Sequence, residues 1–478
     1  MATHTEESRS LQFNVPLLEE CNVCVIGGGS AGIGAATAAA KAGASTVLVE
    51  RYGFLGGTST AGLVGPMMTS WSSDGKEPIT GGVYREVVDR MIGIGGAIDP
   101  AYCPPASSYG AFITLGHSNV TPFHPEALKI AAQDTVLEAG ARIRFHTNFV
   151  RVEVQDGVIQ EAVLLDKRGM GRIRAGVFVD CSADADVAAD AGVPYSKGRS
   201  SDGKMMPATM FMRLGNVDDA KVEAHARAHP DERLFKSIVS KAREEGVWDL
   251  QRDFLSIYRE PEPGEYRANI SRLLNIDGTN PDDLTQAEID GRRQCLFIFQ
   301  FMRNNCPGLE NARLLQIASH IGIRETRHIE GLYTLTAEDV LSGRRFKDAI
   351  GRGSYPIDIH DPSGSGMVYV GMGEKSDEAK SMLFHSEVYK DPRKDAPPFY
   401  DIPFRCLVPV SMHNLLVAGR PISATHEAAA SLRVIPPCYA TGQAAGTAAA
   451  LSVRENQQLE HIDTTALRKI LKKQGAIV

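Results

Sequence analysis

Residues 22–26 (NVCVI) form a short apolar run that predicts a buried strand. GGGSAG follows, and the small residues from about Ala31 to Lys41 predict a helix. STVLVE then predicts a second strand ending at Glu50. Residues 124–140 carry the spacing of an amphipathic helix. The alternating segments RIRFH, FVRVEV, VIQEAVLLD and RIRAGVFVD predict a β-meander that returns to a strand, with Asp156-Gly157 as a hairpin turn. From about residue 196 to 400 the texture changes: Arg, Asp and Pro are more frequent and helices are longer. Thr285 with Glu288 reads as a capping box opening a helix towards Asn304, and Thr336 with Asp339 as another before VLSGRR. Small apolar residues return at the end, where NLLVAGR predicts a strand and YATGQAAGTAAALSV an Ala-rich helix.

Composition narrows the class. The chain has 478 residues, 43% hydrophobic and 23% charged, which fits two or three globular domains rather than disorder. A net charge of −7 with mixed signs offers no footprint for nucleic acid or an anionic membrane. Apolar stretches break well before the ~18 residues of a membrane span. MATHTEESRSLQF lacks the order of a secretory leader, so a cytoplasmic location is the default expectation. Eight cysteines are too sparse for a disulfide scaffold. Cys21 and Cys24 flank a strand start and should face opposite sides, an inert packing arrangement.

The chemistry concentrates where the first strand meets the first helix. Gly27, Gly29 and Gly32 form GxGxxG there. Gly27 permits the tight turn, Gly29 lets a pyrophosphate approach the backbone, and Gly32 lets the helix pack closely on the sheet. Ser30 and Ala31 open the helix, whose unpaired N–H groups attract phosphate. Glu50, with Arg51 after it, closes the second strand where an acid accepts hydrogen bonds from a ribose. Gly56, Gly57, Thr58 and Ser59 then make a second backbone-rich loop. An NAD domain has no need of such a loop, whereas an extended FAD has. FAD is therefore the expected cofactor, with Val150 of the meander a further contact. No second GxGxxG follows a strand, so no separate NAD(P) domain is expected.

Four stretches carry a family resemblance: VIGGGSAGIGAATAAAKAG through Glu50 and GGTST; FVDCSADADVAADAGVPY at 178–195; IGIRETRHIEGLYTLTAEDV at 321–340 with YPIDIHDP at 355–362; and NLLVAGRPISATHEAAASLRVIPPCYATGQAAGTAAA at 414–450. They resemble the broad bacterial family of FAD-dependent oxidoreductases related to the glutathione-reductase-type flavoprotein fold. The resemblance implies an α/β fold: a Rossmann-like FAD-binding domain, parallel sheet with helices plus β-meander, carrying an inserted α+β substrate domain. The expected boundaries are 20–75, 120–195 and 401–455 for the discontinuous FAD-binding domain, 76–119 and 196–400 for the substrate domain, and 456–478 for a helical tail. It also implies that Ser182 lies on the strand approaching the cofactor and that Gly419 and Arg420 end the strand meeting the ribityl chain. Gly442 belongs to the late helix expected to point its N-terminus at the flavin. The family form has small residues where this chain has Cys181, which is expected to pack rather than react.

A flavin performs the redox step, and the protein supplies a base and a charge clamp. His426 or His360 is the expected base, and Arg324 and Arg433 the expected clamp on an anionic or oxygenated substrate. Asp358, His360 and Asp361 find no partner set at ligand spacing, so no metal is expected. The expected activity is FAD-dependent hydride removal from a polar small molecule, giving C=C, C=O or C=N. The alternatives are a flavin reductase or monooxygenase with an external donor, or a flavin-binding electron-carrier subunit. The electron acceptor is unspecified, and homo-oligomerisation is left open.

Overall fold

A computed structural model describes residues 12–114, 116–364, 366–372 and 397–478. The N-terminal segment read for a leader lies outside these through residue 11. The first strand, β1 (Leu17–Ile26), starts earlier than the apolar run because Leu17 to Cys21 pair along the sixth strand of the same sheet. A helix α1 (Ser30–Lys41) and strand β2 (Thr46–Val49) complete the first crossover. After helix α2 (Pro125–Glu138) come β3 (Arg142–Arg144), β4 (Asn148–Gln155), β5 (Val158–Asp166) and β6 (Gly169–Asp180). Asp156 and Gly157 both have positive φ, as the predicted hairpin requires.

The main sheet runs β3-β2-β1-β6-β5-β4. The first half of β6 pairs antiparallel with β5, and its last residues, Phe178 to Asp180, pair parallel with a late strand, Leu415–Val417. A parallel sheet with a meander thus forms, as expected. Period-two alternation sorts β1 onto two faces. Val23 and Val25 enter the core shared with α1, while Cys24 and Ile26 join Phe178 and Leu164 on the other side.

A second, antiparallel sheet is built from β7 (Met212–Gly215), β8 (Ile257–Arg259), β9 (Tyr266–Ala268) and β10 (Arg313–Ile317), in the order β10-β7-β9-β8. It has its own core around Trp248, Tyr266, Ile298 and Phe301. Two of those residues come from α3 (Pro281–Asn305) or its flank, and here the capping expectation fails. Asn280 caps α3, accepting from the Asp282 amide, and Pro281 takes the first turn. Thr285 instead bonds back to the Pro281 carbonyl, and Glu288 accepts from the Ile321 amide. The Thr336–Asp339 capping box forms as read.

The late strand β11 (Leu415–Val417) leads through α4 (His426–Leu432) to α5 (Ile435–Glu455). Helix α5 begins several residues before the Ala-rich run, with prolines in its first turn, where an N–H would have no helical partner. It crosses α1 at close range: a Cβ on Gly442 or Gly446 would stand 2.0 Å from the carbonyl of Ala31 or Ala35. The tail helix Thr464–Lys473 buries Leu467 and Leu471 against the same core. Among the described residues no helix is long and apolar enough to cross a membrane.

Candidate active site

The carboxyl ends of the parallel strands open into a cleft of about 880 Å³. Open α/β sheets receive ligands at this edge. One wall is made by the first glycine turn. Gly27 has φ +102°, and a Cβ there would stand 2.2 Å from the Cys181 carbonyl, so only glycine closes this turn. A Cβ on Gly32 would fall 1.8 Å from the Gly27 carbonyl. Gly29 is different: its nearest neighbour would be Gly57 Cα at 3.8 Å, and it faces open cleft. Helix α1 starts there with no capping side chain and no acid in its first turn. This is a cradle of bare amides, which suits a diphosphate.

Gly27, Gly29, Ser30, Ala31, Glu50, Arg51, Gly57, Thr58, Val150, Ser182, Gly419 and Arg420 all line the cleft. Glu50 accepts from the Gly28 amide at 2.7 Å and the Tyr52 amide at 2.8 Å. Burial raises its carboxyl above the ordinary value against the pull of those amides. Ser182 donates its hydroxyl to Asp180, 2.6 Å away, and burial brings Asp180 up to about 6. Arg420 spends its guanidinium on the carbonyls of Ala183 and Ile323 and on Asp184.

Four expected contacts lie off the cleft lining. Gly32 packs beneath the turn, and Gly56 donates its amide to Gly28, pinning the second loop to the first. Ser59 is fully buried. Gly442 sits at the α1–α5 crossing, because α5 begins at Ile435 rather than near Thr441. The start of α5 does reach the cleft through Ile435 and Cys438, but Pro436 and Pro437 carry no N–H there. Both cleft thiols stay protonated: burial raises Cys181, and raises Cys438 to about 12.

The opposite wall brings together His360, Arg324, Arg433 and Asp358. His426 is not among them. It is buried at the start of α4, its Nδ1 2.8 Å from Glu325 Oε1, because Thr425 caps that helix and turns the ring inward. His360 Nε2 lies 3.5 Å from Asp358 Oδ1, and its Nδ1 3.4 Å from Arg272. Burial and the Arg324 guanidinium hold His360 well below its ordinary value, so it is uncharged at neutral pH. Burial, then Arg433, brings Arg324 down to about 9. Burial opposes ionisation of Asp358, but His360, Arg433 and Arg324 hold its carboxyl well below the usual range.

Sequence reasoning missed Arg252, Tyr258, Tyr355 and Tyr369, which line the same wall. Arg252 stands in an ordinary charged loop, and nothing local marks it. Only Tyr355, three positions before Asp358 and bonded to it at 3.2 Å, carried a signal through its neighbour. Away from the cleft, His225, His229 and Glu232 bring one ligand atom each within 4.8 Å of one another. Arg327, three positions after Arg324, lines the cleft and pairs with Asp186 at 2.9 Å.

A family model described as FAD dependent oxidoreductase matches residues 22–471. No curated protein matches the chain. Among solved structures, it is similar to a geranylgeranyl bacteriochlorophyll reductase-like protein from Thermoplasma acidophilum, at 13% identity over 96% of this chain and 84% of that one, TM-score 0.42. It is similar to the OxyS anhydrotetracycline hydroxylase from Streptomyces rimosus, at 12% identity over 95% and 66%, TM-score 0.42. It is similar to the flavin-dependent brominase Bmp2, at 12% identity over 95% and 83%, TM-score 0.43. All three likenesses are distant.

Proposed function

Because the chain belongs to the FAD-dependent oxidoreductase family, with 22–471 matched, we propose that it removes a hydride from a polar, oxygenated or anionic small molecule. FAD supplies the hydride acceptor when bound. The glycine turn, Glu50 and Gly57–Thr58 would hold its nucleotide part, and Gly419 its far end. The observation that supports dehydrogenation is an uncharged histidine on the wall facing the nucleotide turn. His360 is a base at neutral pH, and neither of its ring contacts is short enough to occupy it fully. It takes up the substrate proton as the hydride leaves, and Asp358 stabilises the imidazolium. Arg324 and Arg433 orient the substrate's oxygens.

The test is anaerobic. Purified yellow protein is mixed with hydroxy acids, polyols and amino acids, and loss of flavin colour is followed. Bleaching by an organic substrate is expected, slowed about 100-fold or more in His360→Gln, the span of general-base catalysis. Bleaching only by NAD(P)H or dithionite would replace this reading with the external-donor alternative.

A further inference from the structure

The cleft wall holds more positive charge than it neutralises, and we infer that its substrate is a dianion, a dicarboxylate or a phosphate monoester. This deepens the reading that the wall receives the substrate and rests on it. Three guanidiniums line the cleft there, those of Arg252, Arg324 and Arg433. Among the described residues one carboxylate pairs with any of them, Asp358, at 3.9 Å from Arg433. Arg252 is 4% exposed, yet its partners are Ser256 Oγ at 3.1 Å, the Met367 sulfur and the Phe254 ring. Arg324 is held by the Pro207 carbonyl and Thr209 Oγ1, both neutral. The Nε atoms of Arg252 and Arg433 are buried without a hydrogen-bond partner. Arg272, just behind, adds a fourth guanidinium bonded to the carbonyls of Asp361 and Gly366.

The fold treats its other buried arginines differently. Arg213 and Arg267 share Glu260, and Arg213 has Glu265 as well. Beside buried Arg213, Arg267 and Arg420 this chain places an acid, since an unpaired buried charge is strongly destabilising. The cleft wall lacks that acid for two charges, and the three tyrosines beside it do not replace it. Burial raises Tyr258, Tyr355 and Tyr369, which stay protonated as neutral donors. The missing counter-charge therefore arrives with the ligand.

The FAD-loaded protein is titrated by calorimetry at fixed ionic strength with matched pairs. One arm uses malonate, succinate and glutarate against their monomethyl esters, the other methyl phosphate against dimethyl phosphate. At least one dianion is expected to bind about 30-fold or more tighter than its monoanion, the loss that follows removal of one member of a buried charge pair. The winning arm tells carboxylate from phosphate. Arg252→Met, checked for retained flavin, is expected to shrink that gap. Equal or absent binding within every pair overturns the inference, as does a gap that Arg252→Met leaves intact. A dianion preference, with no hydroxy acid, polyol or amino acid bleaching the flavin, keeps this inference and removes the dehydrogenation reading. A monoanion that bleaches it with no dianion preference does the reverse.

Discussion

Glu325 is a carboxylate with no exposure, and two histidines lean on it: His328 Nε2 at 3.3 Å and His426 Nδ1 at 2.8 Å. Burial pushes its carboxyl up, but both histidines override this and hold it at about 2. The folded value lies below the ordinary 4.5, so Glu325 stabilises the fold fully above that pH and loses this contribution as pH falls towards about 2. Glu325→Gln is expected to cost about 3 kcal/mol at neutral pH, the linkage value of such a shift. Thermal unfolding of the two proteins should converge as pH falls from 5 to 3; a constant gap would refute the assignment. His426 illustrates what a sequence reading sees at this scale. It stood out as a histidine in a small-residue segment, but its partner lies 101 positions away, and that distance turned a base candidate into a structural one. His360 stood out equally, and the same kind of remote contacts kept it in the cleft.

Helices α1 and α5 are the elements on which the nucleotide turn depends. Their axes approach closely enough that backbone meets backbone at Gly442 and Gly446. Gly446→Ala would place a methyl 2.0 Å from the Ala35 carbonyl, forcing the helices apart at a cost of about 1–3 kcal/mol, as overpacking does. Because α1 carries Gly29 at its head, the same change should lower FAD retention. Gly93, at the end of the helix Val83–Gly93, has nothing within 4 Å of a Cβ, so Gly93→Ala is expected to leave both properties unchanged or better. Thermal midpoints and the flavin-to-protein absorbance ratio after gel filtration read out the pair, and equal effects would remove the crossing argument. The existence of both helices was legible from small-residue runs. The start of α5 was not, since Ile-Pro-Pro reads as a loop until a helix's tolerance for proline in its first turn is considered. The same signal, Asn280-Pro281, marks the true start of α3, four residues before the Thr285–Glu288 pattern.

The molecule as a whole divides into a half that local sequence discloses and a half that it does not. The nucleotide turn is fixed within thirty-odd residues: strand, glycines, helix and terminal acid constrain one another locally. The second sheet closes through pairs such as Met212 with Ile317, and the cleft wall collects residues 252, 324, 358 and 433, so no local pattern exposes either. Glu260 joins the two halves. It binds Arg213 and Arg267, and Arg267 reaches across to the carbonyls of Val64 and Phe123. Glu260→Gln leaves two buried guanidiniums without their shared counter-charge and is expected to cost about 3–5 kcal/mol. Arg267 also sets the position of the segment around Val64 and Gly65, which lines the cleft, so the loss should spread to FAD affinity. Saturating FAD stabilises any folded protein that binds it, by about 2.7 kcal/mol at a hundredfold excess over Kd. The wild type should therefore gain that much in thermal unfolding at an FAD concentration where Glu260→Gln gains clearly less. Equal gains would mean that the ion cluster stabilises the second sheet alone and has no part in shaping the cleft.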